Sequence, residues 1–495
     1  MGSARLLLNR RQPLRPDVIE HVALTDGDGQ PCHVDVVREE GSFLVSWPSP
    51  SSGYIRVPWL FEDETEVLLS TATVASREEP YLLVLELARG LLGRVLGWSE
   101  DWSRAGLSLS PEIRTALDSA VRNFSLAATR QHDPAVAEHQ ARASLESAFL
   151  AERFLARDYC TIIFSAWSGG SGPRCPQLGI SRAAAESNVP PSFSEDSIPD
   201  LIAIPTVWGA LTNSSGDLEF TATDLAVDQA RASGCPVMIG PLLRSKPEDY
   251  PPHFGNDAHS FSSMMAAAIG FARTMAERYR GRVAYWNVAS GGNVPFRAVT
   301  DPLNQRAWGP EERLHLTAAL VDAVHRADPQ ATVLVTVEQP WGDYLARDPD
   351  ELPPVTFADS LARAGLGLSA LGLCLDFDLR EHALGPRDPL AWLQMIDRFA
   401  ILGLPMILFL RERSLSPPSV GVTAKPIAHQ DSGGTSDSAS TLGHPTGAHR
   451  LMTELVALLA CQRAVSAVIW DASSDTTHKV PGPSNVSEFP AEDPW

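Results

Sequence analysis

From about residue 177 onward the chain alternates short, predominantly apolar runs with amphipathic helical stretches, and this alternation limits the folds open to it. Gln177–Ser181, Leu201–Val207, Pro236–Gly240, Val283–Ala289, Thr332–Val337, Leu368–Phe377, Leu404–Leu410 and Val465–Asp471 read as buried parallel strands. Strands covered on both faces show continuous apolar runs rather than alternation. Between them, Phe261–Tyr279, Pro310–Ala327 and Pro389–Leu402 carry apolar residues at helical spacing. Eight such strands predict a closed (β/α)8 barrel rather than an open doubly wound sheet. No Gly-rich phosphate loop follows the first strand of any unit.

A barrel of this kind takes about 250 to 300 residues, and the chain has 495. The remainder precedes it. Residues 31 to 75 hold alternating runs, Ser42-Phe-Leu-Val-Ser-Trp47 and Tyr54-Ile-Arg-Val57 among them, broken by Gly, Pro and Ser clusters. That pattern predicts a small antiparallel sheet. Trp47 and Trp59 are expected to fill its core, with a sugar-stacking platform as the alternative. From Pro80 the period turns helical, and Tyr159–Trp167 is read as the end of a long helix stopped by Gly169-Gly170. The expected organisation is a β-rich module over 1–79, a helical layer over 80–170 and the barrel over 171–495. A Ser-, Gly-, Thr- and Pro-rich stretch at about 414–447 is expected to be a loop at the barrel mouth. His429, His444 and His449 in or beside it match no metal spacing.

Composition excludes several function classes. A net charge of −20 repels phosphate backbones and anionic lipid, so neither nucleic acid nor membrane is an expected partner. No apolar run approaches the ~18 residues of a membrane span, and the three leucines near the N-terminus are too few for a signal-peptide core. The expectation is a soluble, cytoplasmic protein. Its six cysteines, Cys32, Cys160, Cys175, Cys235, Cys374 and Cys461, lack C-x-x-C pairing and read as small hydrophobes of a reducing compartment. Neither a metal nor a cofactor is expected.

Tyr279-Arg-Gly-Arg-Val-Ala-Tyr-Trp-Asn-Val-Ala-Ser-Gly291 resembles the xylanase run Y-x-G-x-V-x-x-W-D-V-V-N-E of the family-ten glycoside hydrolases. Gly216-Asp-Leu-Glu-Phe-Thr-Ala-Thr-Asp224 through Val237 and Phe399-Ala-Ile-Leu-Gly-Leu-Pro-Met-Ile407 are similar to further family segments, in the family's order. Val468-Ile-Trp470 resembles its last barrel strand. The resemblance covers roughly 176 to 475. It implies a barrel glycosidase in which Gly291 stands at the acid/base position and Leu410 at the nucleophile position. A retaining glycosidase needs two carboxyls about 5 Å apart, and neither residue supplies one. The family's N-E-M-K-W becomes Ile204-Pro-Thr-Val-Trp208, its G-H-x-L-x-W becomes Ile239-Gly-Pro-Leu-Leu-Arg244, and Cys374 and Asp376 replace the Gln and His of Q-x-H.

The expected function is therefore a family-ten-like barrel without the family's hydrolytic mechanism, binding an oligo- or polysaccharide or serving as a scaffold. The alternative is an active glycoside hydrolase with relocated carboxylates. In that case its acid and its nucleophile or base come from Glu338, Asp376, Asp378, Glu412 and Asp471, all at strand ends. Asp376 and Asp378, two apart, share a face of an extended strand. Strand-end acids also cap helices or pair with Arg380, Arg411 and Arg413. Trp208, Trp286, Trp341 and Trp470 are the candidate sugar-binding residues, and core packing explains such tryptophans equally well. A purely structural role has no positive feature in the sequence.

Overall fold

The computed structural model describes residues 1–8, 21–63, 65–168, 175–182, 199–213, 215–245, 249–251, 261–295, 308–376, 387–412 and 447–472. The N-terminal strands are β1 (Gly2–Leu7), β2 (Ala23–Thr25), β3 (Pro31–Cys32), β4 (Asp35–Glu39), β5 (Ser42–Trp47), β6 (Gly53–Leu60), β7 (Glu66–Val74) and β8 (Tyr81–Leu82). They form two four-stranded sheets, β4-β5-β1-β8 and β3-β2-β6-β7, where the sequence predicted one. The difference is largely β1, whose residues alternate buried and half-buried and pair antiparallel with β5 along their whole length. Trp47 and Trp59 are both buried in the core between these strands and the helices. The Trp47 indole donates to Ser51 O at 2.9 Å.

Three helices follow, α1 (Leu83–Arg104), α2 (Pro111–Thr129) and α3 (Pro134–Ser168). Ser110 caps α2 through its side chain, with proline in the first turn, a combination that satisfies one orphan N–H and pre-sets φ. Helix α1 lies directly on β7. A Cβ on Gly90 would stand 2.3 Å from Ser70 O and 2.5 Å from Thr71 C, so only glycine permits this approach. The layer joins the sheets to the barrel through Arg153, which bonds Asp63 at 2.8 Å and Glu454 at 2.6 and 2.9 Å.

The same layer carries a pH-sensitive group. Burial, reinforced by Glu62, pushes the Glu146 carboxyl up to about 7. A carboxyl whose folded value is raised contributes stability that is full below its unfolded value and is lost as pH rises through the folded one. Glu146→Gln should therefore flatten the fall in Tm between pH ~4.5 and ~7. Melting curves of both proteins across that window test this, and parallel curves would remove Glu146 as the cause.

The barrel strands are β9 (Gln177–Ser181), β10 (Leu201–Ile204), β11 (Val237–Ile239), β12 (Leu243–Arg244), β13 (Tyr285–Ser290), β14 (Thr332–Val337), β15 (Ala370–Asp376), β16 (Met406–Glu412) and β17 (Val465–Ala472). All pair in parallel, β11 joins β13 and β17 joins β9, so eight strands close into a (β/α)8 barrel. The short β12 adds to the far end of β13. Connecting helices are α4 (Thr221–Ala232), α5 (Phe261–Tyr279), α6 (Pro310–Ala327), α7 (Pro354–Arg363), α8 (Pro389–Ala400) and α9 (Gly447–Ala460). Helix α8 stops two residues before the predicted end, because Ile401 and Leu402 lead into Gly403 at φ 70°.

Alternate strand residues face opposite ways. Leu201, Ala203, Met238, Leu334, Ala370, Ile407, Ala467 and Ile469 fill the barrel axis, with Tyr285 and Phe409 against them. Their neighbours Val333, Val335, Leu371, Leu373, Met406, Leu408, Leu410 and Val468 belong instead to the large cluster shared with the helices. No helix among the described residues is long and apolar enough to cross a membrane. The predicted loop at 414–447 falls almost wholly outside the described residues.

Candidate functional site

Two strand irregularities decide what the barrel mouth presents. In β13 the register against β14 shifts between Asn287 and Ala289. Asn287 faces inward, its side chain donating to Thr336 Oγ1 at 2.9 Å. The extra residue then brings Ser290, rather than Ala289, opposite Thr336 on the inner side. On β14, Leu334 lies on the axis and Thr336 bonds Asn287, so alternation carries Glu338 inward at the mouth. The Ser290 hydroxyl donates to Glu338 Oε1 at 2.8 Å.

Glu338 is held from its backbone as well. Asn293 Oδ1 accepts from Glu338 N at 3.1 Å, and Asn293 Nδ2 donates to Glu338 O at 2.7 Å. From β16, Arg411 brings Nη1 to 3.7 Å from Glu338 Oε1. The next residue, Gln339, takes φ 46°, the left-handed region that non-glycine residues seldom occupy. Gly291 adopts φ 75°, and a Cβ built there would stand 3.2 Å from Glu338 Cδ. The carboxylate of Glu338 thus fills the space beside the residue that the family resemblance places at the acid/base position.

Leu410 lies elsewhere. It is 1% exposed and packs in the helix-facing cluster, while Ile407 and Phe409 face the axis and Arg411 follows them inward. The resemblance puts the nucleophile position at Leu410, but in this barrel the mouth-facing position on β16 is Arg411.

The other sequence candidates scatter. Asp376, the last residue of β15, and Asp471, one before the end of β17, are the register partners of Arg411, and Glu412 ends β16. The side chains of these three, and the whole of Asp378, lie outside the described residues. Trp286 is 0% exposed, on the helix side of β13, its indole donating to Asp328 Oδ2 at 3.1 Å. Trp208 is buried and stacked on Phe271 at 5.6 Å. Trp341 packs edge-on against Trp392 at 4.4 Å with the Arg387 guanidinium 4.2 Å over its ring. Trp470 pairs with Leu410 in register and packs, half-buried, on the same helix-facing cluster. Trp286 and Trp208 therefore have no free face for a sugar, and the four tryptophans do not line one cleft.

What sequence reasoning missed is a small opening of about 10 Å³ beside Ser290, room for little more than one water molecule, lined by Arg244, Ser245, Tyr250, Trp308, Arg313 and Thr317 among others. Trp308 is half-buried there, edge-on to Tyr250 at 5.9 Å. Arg244 holds Asp249 through two bonds of 2.7 and 2.8 Å, and buried Arg313 pairs with Glu351 and donates to Gly292 O. Burial, with the Asp249 charge behind it, pushes the Tyr250 hydroxyl far up, so it remains a neutral donor. Tyr250 and Trp308 sit in irregular segments without periodicity, so only the fold could bring them together. Among the described residues no group of His, Cys, Asp and Glu side chains is arranged to hold a metal ion.

No family model matches the chain, and no curated protein matches it. Solved structures similar to it include a family-ten endoxylanase retrieved from a sugarcane soil metagenome, at 14% identity over 66% of this chain and 92% of that one, with a TM-score of 0.43. Another is the xylanase XynB of Paenibacillus barcinonensis complexed with a conduramine derivative, at 16% identity over 63% and 86%, TM-score 0.43. A third is native xylanase 10B of Thermotoga maritima, at 14% identity over 60% and 83%, TM-score 0.41. The barrel itself rests on its own strand pairings.

Proposed function

We propose that this barrel is a pseudoenzyme of carbohydrate metabolism, which binds an oligosaccharide at its mouth without cleaving it by the two-carboxylate mechanism. The observation that carries the reading is the engagement of Glu338. Its carboxylate stands beside Gly291, takes the Ser290 hydroxyl, and faces a guanidinium, Arg411, where a retaining glycosidase has a second carboxylate. Beside it the ring of Trp308 and polar atoms of Ser245, Tyr250 and Ser290 border a small opening, and these are the groups a sugar would meet at its rim. We place the protein in the cytoplasm, where thiols such as buried Cys160, Cys235, Cys374 and Cys461 stay reduced.

Purified protein should release no more reducing sugar from xylan or aryl xylosides than a no-enzyme control. Calorimetric titration with xylo- and cello-oligosaccharides should give a Kd in the high micromolar to millimolar range, about 4 to 6 kcal/mol in all, since one stacking face and a few polar contacts supply little more. Trp308→Ala should abolish it, and Trp208→Ala with Trp470→Ala should not. Turnover, or binding indifferent to Trp308, would sink this reading.

One observation favours the second reading, an active hydrolase with relocated carboxylates. Glu338 occupies the space beside Gly291, which the resemblance puts at the acid/base position, and Asp376, Asp378, Glu412 and Asp471 would supply its partner. In that case measurable turnover disappears in Glu338→Gln.

A further inference from the structure

Between the N-terminal sheet β3-β2-β6-β7 and the barrel, three arginines from distant parts of the chain meet. Arg56 comes from β6, Arg94 from α1, and Arg387 from the residues just before α8. The backbone fixes their neighbourhood. Arg56 pairs in register with Ser70 of β7, Leu68 of the same strand bridges to Arg387, and Arg94 Nη1 donates to Ser70 O at 3.3 Å. Two carboxylates face them. Arg387 Nη2 holds both oxygens of Asp343 at 2.8 and 3.0 Å, and Arg94 Nη2 holds Asp388 Oδ2 at 2.7 Å.

These pairings leave donors over. Arg387 is 2% exposed, yet its Nη1 is buried without a partner, as is Nε of Arg94. Arg56 makes neither a hydrogen bond nor an ion pair among the described residues. It keeps some open surface although protein surrounds it, and burial together with the Arg387 charge lowers its guanidinium to about 9, so it remains cationic near neutrality. Burial and the Asp388 charge push the nearby Glu152 carboxyl well above the usual range, which weakens it as a counter-charge. Three guanidiniums, with the charge of Arg398 also acting on Arg56 and Arg387, thus face two carboxylates, in surroundings where an unmatched N–H is costly. Such an excess in a chain of net charge −20 is not a property of the surface at large.

We infer that the cluster of Arg56, Arg94 and Arg387 is a binding site for a tetrahedral oxyanion, a phosphate group either free or carried on a small ester. Guanidinium forks match such an anion in geometry as well as charge. The open surface at Arg56 gives it a way in, and the orphan donors of Arg387 and Arg94 supply the inner contacts. Asp343 and Asp388 oppose the anion but are each held by an arginine, which limits their repulsion. The site lies apart from the barrel mouth and owes nothing to the carbohydrate reading.

The test is a thermal and calorimetric titration of the full chain with inorganic phosphate and, in a second arm, glucose 1-phosphate. Ionic strength is held constant with chloride. Phosphate should raise Tm by roughly 2 °C or more at saturation. Arg56→Met should weaken the midpoint by about tenfold or more. Arg56→Lys, which keeps the charge and loses the fork, should fall between, and serves if the methionine variant does not fold. Arg326→Gln, which removes an exposed charge on α6, should leave the response intact. A response to both ligands places the phosphate of a small ester at the cluster, and a response to inorganic phosphate alone assigns it the free ion. No response to either, or one that Arg56→Met leaves unchanged, overturns the assignment.

Discussion

Restoring glutamates at the two positions that the family resemblance marks as catalytic, Gly291→Glu with Leu410→Glu, is expected to damage the protein and to create no xylanase. The larger effect comes from Leu410. Its side chain is 1% exposed among the helix-facing residues of the barrel, so a carboxylate there loses the packing of a buried leucine and gains an unpaired buried charge. Together these should cost at least about 4 kcal/mol. Gly291→Glu adds a smaller cost, about 1 to 3 kcal/mol, for placing a side chain at φ 75°, and its Cβ would come within 3.2 Å of the Glu338 carboxyl carbon. Urea denaturation of each single variant should rank Leu410→Glu well above Gly291→Glu. A Leu410→Glu protein as stable as the parent would mean that this side chain reaches the mouth after all, and the account of β16 would fall.

That prediction turns on a distinction the sequence does not contain. Thr332–Val337, Phe261–Tyr279 and Pro310–Ala327 have the boundaries that period and propensity assign them, because a helix stripe and a buried apolar run are local properties. The direction each strand residue faces is not local. In Met406-Ile-Leu-Phe-Leu410 every position is apolar, so no alternation marks the inner side, and only packing separates Ile407 and Phe409 from Leu408 and Leu410. Register shifts at Met406/Ile407 and at Asn287/Ala289 then move the pairing by a residue. The contact of Ser290 with Glu338 follows from such a shift, and a motif aligned without gaps cannot show it. Glu338 was legible as a strand-end acid; its partner was not. Trp286 illustrates the converse, since its place in a family motif suggested a cleft while its burial and its bond to Asp328 make it part of the wall.

The other large effect is expected at Asp388, where the helical layer, α8 and the arginine cluster are tied to one buried carboxylate. Asp388 is 1% exposed. It caps α8 by accepting from Ala391 N at 3.0 Å, and its other oxygen takes Arg94 Nη2 at 2.7 Å. Glu152 of α3 accepts from Leu390 N at 2.8 Å in the same turn, and its other oxygen is buried without a partner. Asp388→Ala removes a cap and strands the guanidinium of Arg94 in the interior, for an expected loss of about 3 to 5 kcal/mol. Asp388→Asn retains a cap acceptor and should lose less. Most of the loss should belong to the stranded charge, so adding Arg94→Met should recover part of it, giving a coupling of about 1 to 3 kcal/mol in a double-mutant cycle. Strictly additive losses would show that Arg94 and Asp388 are independent, and the helical layer would then hold the barrel through apolar packing and the Arg153 bridge alone. With Asp388 gone the cluster also faces one negative charge fewer. Any Asp388→Ala protein that folds should therefore bind phosphate more tightly than the parent, a result that a simple loss of structure would not produce.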